Sequence, residues 1–302
     1  MPAHTRLTVE RALNDEARRL RASSQSPRLD AELLLAHVLG ITRERLYAAP
    51  ERVLIADERS RFESLVERRA AGEPVAYLTG HKAFRALDLR VGPEALVPRP
   101  ETETLVEVAL AKLALVDWER IDRRPRVLDL GTGSGAVALA LVHEHPSVQV
   151  VATDVDERAL ELARLNAVRL GLGARIEFAH GDLFDGLPGG ALFDLIVSNP
   201  PYVAEHELPG LPVDVRDYEP VGALVAGPQG LDVYERLVPA APPFLRTAGW
   251  LAVEIAEMRS REVLDIFSAT GRFEPVELHD DLSGRPRVVA GRERTYVHEG
   301  RA

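Results

Sequence analysis

The segment Val-Leu-Asp-Leu-Gly-Thr-Gly-Ser-Gly-Ala spans residues 127–136 and is the most informative part of the chain. A strand-like run leads directly into three glycines at alternate positions, and a helical pattern begins near Ala136. Glycine lets the backbone turn sharply and lets a ligand approach main-chain amides closely. The spacing departs from the strict dinucleotide fingerprint, and it is no P-loop because no Gly-Lys-Ser/Thr follows. The segment therefore predicts a strand, a turn and a helix that bind a nucleotide-like cofactor, with a structural loop as the alternative.

Further short apolar runs follow this segment, and helical patterns separate most of them. Together with Val127–Leu130, the runs are Val148–Thr153, Ile176–His180, Leu192–Ser198 and Trp250–Ile255. Such runs are typical of parallel strands that are buried on both faces. Their alternation with helices predicts βαβ units with right-handed crossovers, and hence a doubly wound α/β sheet. We assign residues 102–302 to this domain.

Residues 1–72 contain only helical patterns, which predict a small helical bundle as a separate domain. Thr8 is a candidate N-cap for its first helix. A second helix is expected to begin at Ser26-Pro27 and to end at Gly40. Glycines and prolines then punctuate residues 73–101, where β-prone runs favour a β-hairpin linker over a helix.

The composition excludes several classes of protein. The chain has 302 residues and no Cys, which removes disulfides, thiolate metal sites and a cysteine nucleophile. No apolar stretch has the length of a membrane-spanning helix, and the start of the chain has no apolar core of a signal peptide, so we expect a cytoplasmic protein. The net charge of −10 argues against a surface built mainly to neutralise nucleic-acid phosphates.

Asp154 ends the second predicted strand of the sheet, 19 residues after Gly135. An acidic side chain at this place reaches the ribose hydroxyls of a bound nucleoside. The alternative is an N-cap for the helix that follows, a position that also favours Asp.

The sequence Gly181-Asp182-Leu183-Phe184 follows the third predicted strand. Asp182 is suited to accept a hydrogen bond from the exocyclic amine of adenine, with Leu183 or Phe184 against the ring. An ordinary loop explains this segment equally well.

Asn199-Pro200-Pro201-Tyr202 directly follows the fourth predicted strand, where open α/β sheets place their ligands. Two consecutive prolines stiffen the loop and remove two amide donors. The remaining polar groups are the Asn199 side-chain oxygen and the Pro200 carbonyl, a pair of acceptors for the two hydrogens of a planar NH2 group. Tyr202 offers an aromatic wall. A tight turn is the structural alternative.

These elements, in this order, resemble the class I S-adenosylmethionine-dependent methyltransferases that methylate amide or amine nitrogens. The resemblance narrows to the HemK/PrmC family of release factor glutamine methyltransferases and covers nearly the whole chain. It rests on motifs along the sequence, namely Tyr77-Leu78-Thr79-Gly80 with Phe84, the run from Leu96 to Glu103 (LVPRPETE), the Asn199–Tyr202 loop, Glu219-Pro220 with Ala223-Leu224 and Gly230-Leu231, and Asp281-Leu282-Ser283-Gly284-Arg285.

The resemblance implies methylation of the glutamine side-chain amide in the Gly-Gly-Gln loop of class 1 peptide chain release factors, with S-adenosylmethionine as donor and S-adenosylhomocysteine as product. The helical domain would help to dock the release factor. The cofactor-binding residues that it implies are Gly131, Thr132, Gly133, Ser134, Gly135, Asp154, Asp182, Leu183, Asn199 and Phe84.

The catalytic and substrate-binding residues implied by the resemblance are Asn199, Pro200, Pro201 and Tyr202. Arg99 and Glu101 would also lie at the pocket and bind substrate. Family members can have an aromatic residue at the position of Leu183, so ring stacking on adenine is assigned to Leu183, Phe184 or Phe84 without a choice among them.

Other functions compete with this hypothesis. A DNA or RNA amino-methyltransferase needs the same acceptor loop, but it should also show a face rich in Lys and Arg, whereas this chain has two Lys. A module that binds S-adenosylmethionine without catalysis is a further alternative. For the enzyme we expect no metal, no stable nucleic acid or membrane partner, and a monomeric state.

Overall fold

The computed structural model describes residues 7–294, which divide into two compact units. Of the described residues, the first unit comprises residues 7–81 and Leu211–Tyr218, and the second comprises Lys82–Gly210 and residues 219–294. The domain boundaries proposed from the sequence, after residues 72 and 101, stay predictions. Within residues 7–294, no helix combines the length and the apolar character that crossing a membrane requires.

The secondary structure alternates helices and strands after residue 102. The helices in chain order are α1 (Val9–Arg19), α2 (Pro27–Leu39), α3 (Arg43–Ala48), α4 (Ala56–Ala70), α5 (Val75–Thr79), α6 (Glu103–Ala114), α7 (Ala136–Glu144), α8 (Glu157–Arg169), α9 (Val213–Arg216), α10 (Asp232–Ala240) and α11 (Ser260–Ala269). The strands are β1 (His81–Phe84), β2 (Leu87–Arg90), β3 (Arg126–Leu130), β4 (Gln149–Asp154), β5 (Ile176–His180), β6 (Phe193–Ser198), β7 (Leu245–Glu254), β8 (Phe273–Asp280) and β9 (Pro286–Glu293).

The first unit is helical, and its helix ends follow the signals in the sequence. The Thr8 side chain accepts a hydrogen bond from the Arg11 amide at 3.4 Å, which makes Thr8 the N-cap of α1. Pro27 is the first residue of α2, and Gly40 ends that helix with a φ of 61°. The apolar faces of these helices enclose one core, which includes Leu13, Leu34, Leu35, Phe62 and Val66.

Residues 73–101 were predicted as a β-hairpin linker, and only part of this range forms a β-hairpin. β1 and β2 form a two-stranded sheet, and Arg85 between them has a positive φ of 50°. Helix α5 was not expected, and the prediction was wrong there. Gly80 ends this short helix in the left-handed conformation, and Leu78 is buried in the core of the helical unit, so tertiary packing selects the helix.

The second unit is built on a seven-stranded sheet with the order β5-β4-β3-β6-β7-β9-β8. The five strands from β5 to β7 in this order are parallel, and they are the five that the apolar runs predicted. The doubly wound fold is thereby confirmed. β9 pairs antiparallel with β7, and β8 pairs antiparallel with β9.

The register of the parallel strands brings their carboxyl ends to one edge. Leu130 pairs with both Thr153 and Ser198, and Ser198 pairs with Val253 on the next strand. The loops that follow β3, β4, β6 and β7 therefore begin side by side. This is the edge at which open α/β sheets bind ligands.

Candidate functional site

A cavity of about 530 Å³ lies at this edge of the second unit. Its lining residues come from five segments, within 94–102, 129–137, 154–159, 199–201 and 220–223. The Gly-rich turn after β3, the acidic end of β4 and the proline loop after β6 thus share one cavity. The sequence had assigned all three to the same site.

The three glycines of the turn all have positive φ values, 71° at Gly131, 57° at Gly133 and 84° at Gly135. This conformation is unfavourable for other residues. A Cβ atom on Gly131 would meet no atom within 4 Å, whereas one on Gly135 would lie 3.0 Å from Leu139 Cδ1 and 3.2 Å from Ala163 Cβ. Gly131 therefore borders open space in the cavity, a Cβ on Gly133 would be in ordinary contact with Ala95 Cβ at 3.8 Å, and Gly135 permits close packing of α7 and α8.

Asp129 is a residue of the cavity to which the sequence analysis gave no role. It lies in the middle of the apolar strand β3, is 1% exposed, and accepts hydrogen bonds from Thr132 Oγ1 at 2.7 Å and from the Ala138 amide at 3.2 Å. Burial raises the pKa of its carboxyl to about 7. An acidic residue inside an otherwise apolar strand was the signal that could have identified it.

Asp154 lines the cavity beside the glycine turn. One of its carboxylate oxygens accepts from the Gly133 amide at 2.8 Å and the other from the Asp156 amide at 3.0 Å. Burial raises the pKa of this carboxyl, and the two backbone hydrogen bonds oppose the shift. Asp156, and not Asp154, is the N-cap of α8, because its side chain accepts from the Arg158 amide. The capping alternative for Asp154 is therefore wrong.

Asn199 directly follows β6 and lines the cavity together with Pro201. Its Nδ2 donates a hydrogen bond to Thr102 Oγ1 at 3.2 Å, which leaves its Oδ1 for other donors. Pro200 does not line the cavity, and Tyr202 packs against the hydrophobic core, where burial raises the pKa of its phenol to about 12. Tyr202 is therefore a neutral phenol at physiological pH.

Arg99 lines the cavity and forms a two-point ion pair. Its Nη2 lies 2.7 Å and 2.8 Å from the two carboxylate oxygens of Glu219, whose side chain is 2% exposed. The next four residues, 220–223, also line the cavity. The ion pair therefore connects two walls of the cavity.

Several predicted site residues lie away from the cavity lining. Asp182 forms an ion pair with Arg236 at 2.5 Å, and Leu183, with a φ of 50°, packs against the core. Phe184 stacks on Phe244 with ring centroids 4.5 Å apart. Phe84 is 1% exposed, and Glu101 is on the surface. The adenine contacts of Asp182, Leu183 and Phe84 and the substrate contact of Glu101 stay predictions.

The doubly wound sheet and the cavity at its carboxyl edge define a Rossmann-like class I methyltransferase. Two family models match the chain. One, described as the PrmC N-terminal domain, matches residues 11–80, and the other, described as the methyltransferase small domain, matches residues 111–210.

Curated relatives match over nearly the full chain. The release factor glutamine methyltransferase of Koribacter versatilis is 41% identical over 96% of this chain and 100% of its own length. Those of Moorella thermoacetica and Vibrio cholerae are each 43% identical, over 93% and 96% of this chain and 97% and 98% of their own lengths. The chain belongs to the release factor glutamine methyltransferase family, which confirms the resemblance that its motifs indicated.

Solved structures show the same fold at low sequence identity. The catalytic domain of hMettl16, in complex with a hairpin of the MAT2A 3′UTR, is 17% identical, with a TM-score of 0.56 over 82% of this chain and 85% of that chain. A human methyltransferase 10 domain containing protein is also 17% identical, with a TM-score of 0.51 over 69% of this chain and 88% of that chain. At this identity the likeness concerns the fold alone.

Proposed function

We propose that this enzyme transfers a methyl group from S-adenosylmethionine to the side-chain amide nitrogen of the glutamine in the Gly-Gly-Gln loop of class 1 peptide chain release factors. The observation on which the proposal depends is the position of Asn199. Its amide is anchored through Nδ2 to Thr102, and it lies in the cavity that also contains the glycine turn. The names of the relatives support the same substrate.

The residues of the cavity suit the binding of S-adenosylmethionine, which supplies an electrophilic methyl group on a sulfonium sulfur. Gly131 borders open space, and a Cβ on Gly133 would meet only Ala95 Cβ at 3.8 Å, so a ligand has close access to the backbone of the turn. Each oxygen of Asp154 accepts one backbone amide and keeps further lone pairs for ribose hydroxyls. We assign Gly131 to Ser134 to the methionine part and Asp154 to the ribose.

The protein contributes orientation to the reaction. An amide nitrogen is a weak nucleophile because its lone pair is delocalised into the carbonyl. In the proposed complex, Asn199 Oδ1 and the Pro200 carbonyl each accept one N–H of the substrate glutamine. Two acceptors fix the plane of the NH2 group and favour a more pyramidal nitrogen, which makes its lone pair available for attack.

The proposal places the reaction in the cytoplasm, with one copy of the enzyme acting on one release factor. The helical unit holds an excess of arginine, 13 Arg against 11 acidic residues in residues 1–72, and we assign to it a second contact with the protein substrate. No stable complex with nucleic acid or membrane is needed for this reaction.

Mass spectrometry of a release factor incubated with the enzyme and S-adenosylmethionine tests the proposal. We expect a mass gain of one methyl group on the peptide with the Gly-Gly-Gln sequence, and no gain when that glutamine is replaced by alanine. Ribosomal RNA and adenine-containing DNA serve as competing substrates. Methylation of either nucleic acid in place of the release factor would overturn the proposal.

A further inference from the structure

The Asn199–Tyr202 loop is held at its carboxyl end by a segment that lies further along the chain. Val203, the first residue after the loop, donates its amide to the Leu224 carbonyl at 2.9 Å. The Val203 carbonyl accepts from the Ala226 amide, also at 2.9 Å. These two hydrogen bonds form a short parallel bridge. The segment of residues 224–230 therefore runs beside the chain that leaves the loop.

This pairing continues beyond Val203 and is shielded from water. The Glu205 amide donates to the Gly227 carbonyl at 3.0 Å. Ala204 is 0% exposed, and Ala226 is 3% exposed. Hydrogen bonds out of the reach of water are stronger than exposed ones, and a buried amide that loses its partner is costly. The bridge therefore fixes the carboxyl end of the loop.

Gly230 ends this segment and lies against the backbone of the loop. It has a φ of 71°. A Cβ atom on it would collide with the Tyr202 carbonyl oxygen, and it would lie 3.1 Å from the Tyr202 carbonyl carbon and 3.0 Å from the Ala204 nitrogen. Non-bonded carbon atoms are most stable about 3.5 to 4.0 Å apart. All three neighbours are main-chain atoms, so a side chain at residue 230 would displace the backbone of residues 202–204.

The amino end of the loop is fixed by the sheet. Ser198, the last residue of β6, is 2% exposed and donates its hydroxyl to the Leu130 carbonyl of β3 at 2.8 Å. Between the two ends, Pro200 and Pro201 restrict the backbone, because the proline ring fixes φ at about −65°. A displacement at the carboxyl end of the loop is therefore passed on to Asn199 and to the Pro200 carbonyl.

We propose that Gly230 is a positioning residue of the methyl transfer. Because it has no side chain, the 224–230 segment closes on the Tyr202 backbone and holds Asn199 Oδ1 and the Pro200 carbonyl where they meet the substrate amide. The inference rests on the proposed function for the reaction that the loop performs. The residues that line the cavity do not include Gly230, so it acts through Tyr202 and not by contact with substrate or cofactor.

Gly230→Ala and Gly171→Ala form a matched pair of variants. The two glycines have nearly the same φ, 71° and 70°, so alanine meets the same backbone strain at both positions. A Cβ atom at residue 171 would have no neighbour within 4 Å, whereas one at residue 230 would meet the loop. We expect Gly230→Ala to lower kcat for a release factor roughly tenfold to a hundredfold, the loss that misplacing reacting groups by about 1 Å can cause. Gly171→Ala should keep the wild-type kcat.

The binding of S-adenosylmethionine distinguishes lost orientation from lost folding. Neither substitution alters the glycine turn after β3, so both variants should bind it with the wild-type Kd. Calorimetry also gives the fraction of molecules that bind, and kcat is expressed per binding molecule. In a third variant, Gly227→Ala, the Cβ atom would collide only with the Asp232 carboxylate, a side chain that can turn aside, so kcat should fall less than in Gly230→Ala. Equal kcat values per binding molecule in Gly230→Ala and Gly171→Ala would overturn the inference.

Hydrogen exchange separates this inference from the proposed function. The Val203 and Ala226 amides form the bridge, and nuclear magnetic resonance follows their exchange in the enzyme without substrate. We expect faster exchange at both amides in Gly230→Ala than in the wild type or in Gly171→Ala. Faster exchange in an enzyme that leaves release factors unmethylated would refute the substrate and keep the positioning of the loop by Gly230. Exchange at the wild-type rate in Gly230→Ala would refute the positioning role.

Discussion

Asn199 uses the two ends of one amide group for different purposes. Its Nδ2 donates to Thr102 Oγ1, and the proposed function assigns its Oδ1 to the substrate amide. Replacement by alanine removes the acceptor but none of the groups of the glycine turn. We expect Asn199→Ala to lose methyl transfer by orders of magnitude, because the substrate amide is no longer oriented, and to bind S-adenosylmethionine as the wild type does. Transfer of a labelled methyl group and calorimetry measure the two quantities, and equal losses in both would refute the assigned role.

The sequence left two roles open for Asp154, ribose binding and helix capping, and the structure excludes capping. Its carboxylate holds the Gly133 amide and faces the cavity, while Asp156 caps α8. Asp154→Ala should weaken S-adenosylmethionine binding roughly tenfold to a hundredfold, the range expected for a hydrogen bond to a charged group. Asp154→Asn keeps one acceptor oxygen and should retain part of the affinity. If calorimetric titration gave the same Kd for Asp154→Ala and for the wild type, Asp154 would not bind the ribose and would only support the turn.

Asp129 gives the protein a stability that depends on pH. The folded state raises the pKa of its carboxyl from 3.8 to about 7, because burial disfavours the charged form. For a raised pKa the native state binds the proton more tightly than the unfolded chain. The stabilising contribution is therefore complete below pH 3.8 and is lost as the pH rises through about 7.

Asp129→Asn removes this titration and keeps a similar shape. As the pH rises from 3.8 to about 7, we expect the free energy of unfolding of the wild type to fall relative to that of the variant. Urea unfolding at a series of pH values measures the difference. A constant difference over the whole range would mean that Asp129 does not titrate there.

At the level of secondary structure, the glycine turn offers a matched pair of substitutions. Gly135→Ala and Gly131→Ala both force a side chain into positive φ, which costs about 1 to 2 kcal/mol. Only the alanine at residue 135 also meets close neighbours, at 3.0 Å and 3.2 Å. We expect Gly135→Ala to be the less stable variant in thermal unfolding. Gly131→Ala should instead show the larger loss of cofactor affinity, because its methyl group enters the open space of the cavity.

The sequence predicted those elements whose burial produces a regular pattern of apolar residues along the chain. The inner parallel strands are buried on both faces, so they contain continuous apolar runs such as Leu195-Ile196-Val197, whereas the edge strand β5 is buried only at Ile176. β8 is an antiparallel strand at the edge of the sheet with the mixed sequence Phe-Glu-Pro-Val-Glu-Leu-His-Asp, and it was missed. The short helix α5 was missed because the burial of Leu78 in the helical core decides its conformation.

The candidate site likewise contains residues that a local sequence pattern predicts and contacts that no local pattern predicts. Asp154 ends one apolar strand and Asn199 directly follows another, so their place at the carboxyl edge could be predicted from the sequence. The role of Thr102 toward Asn199 depends on a contact between residues that are far apart in the chain, and no local spacing encodes it. The ion pair of Arg99 with Glu219 is of the same kind.

At the level of the whole molecule, the two compact units are not two successive segments of the chain. The chain leaves the second unit after Gly210, contributes Leu211–Tyr218 to the helical unit and then returns. Within the helical unit, Arg69 Nη2 lies 3.5 Å from Asp214, and the Tyr218 hydroxyl donates to the Ala71 carbonyl at 3.3 Å. Helices from the start of the chain therefore hold a segment that follows the Asn199–Tyr202 loop in sequence.

Arg69 is central to this arrangement, because it also forms a buried ion pair with Asp30. The Arg69 Nε lies 2.7 Å from Asp30 Oδ2, and both side chains are 8% exposed. Arg69→Ala leaves the buried Asp30 carboxylate with hydrogen bonds from Ser24 and Ser26 but without its charged partner, and breaking a buried ion pair in this way typically costs about 3 to 5 kcal/mol. It also removes the ion pair with Asp214, so we expect trypsin to cleave after Arg216 sooner in the folded variant than in the wild type.

Arg68→Ala is the neighbouring control. Its ion pair with Glu73 lies at the surface, where the arginine side chain is 52% exposed, and such pairs contribute about 0 to 1 kcal/mol. Urea unfolding should therefore rank Arg69→Ala far below Arg68→Ala, and mass spectrometry of the tryptic fragments should detect early cleavage after Arg216 in the former alone. Equal unfolding free energies and equal cleavage rates in the two variants would show that the buried ion pair does not hold the segment in place.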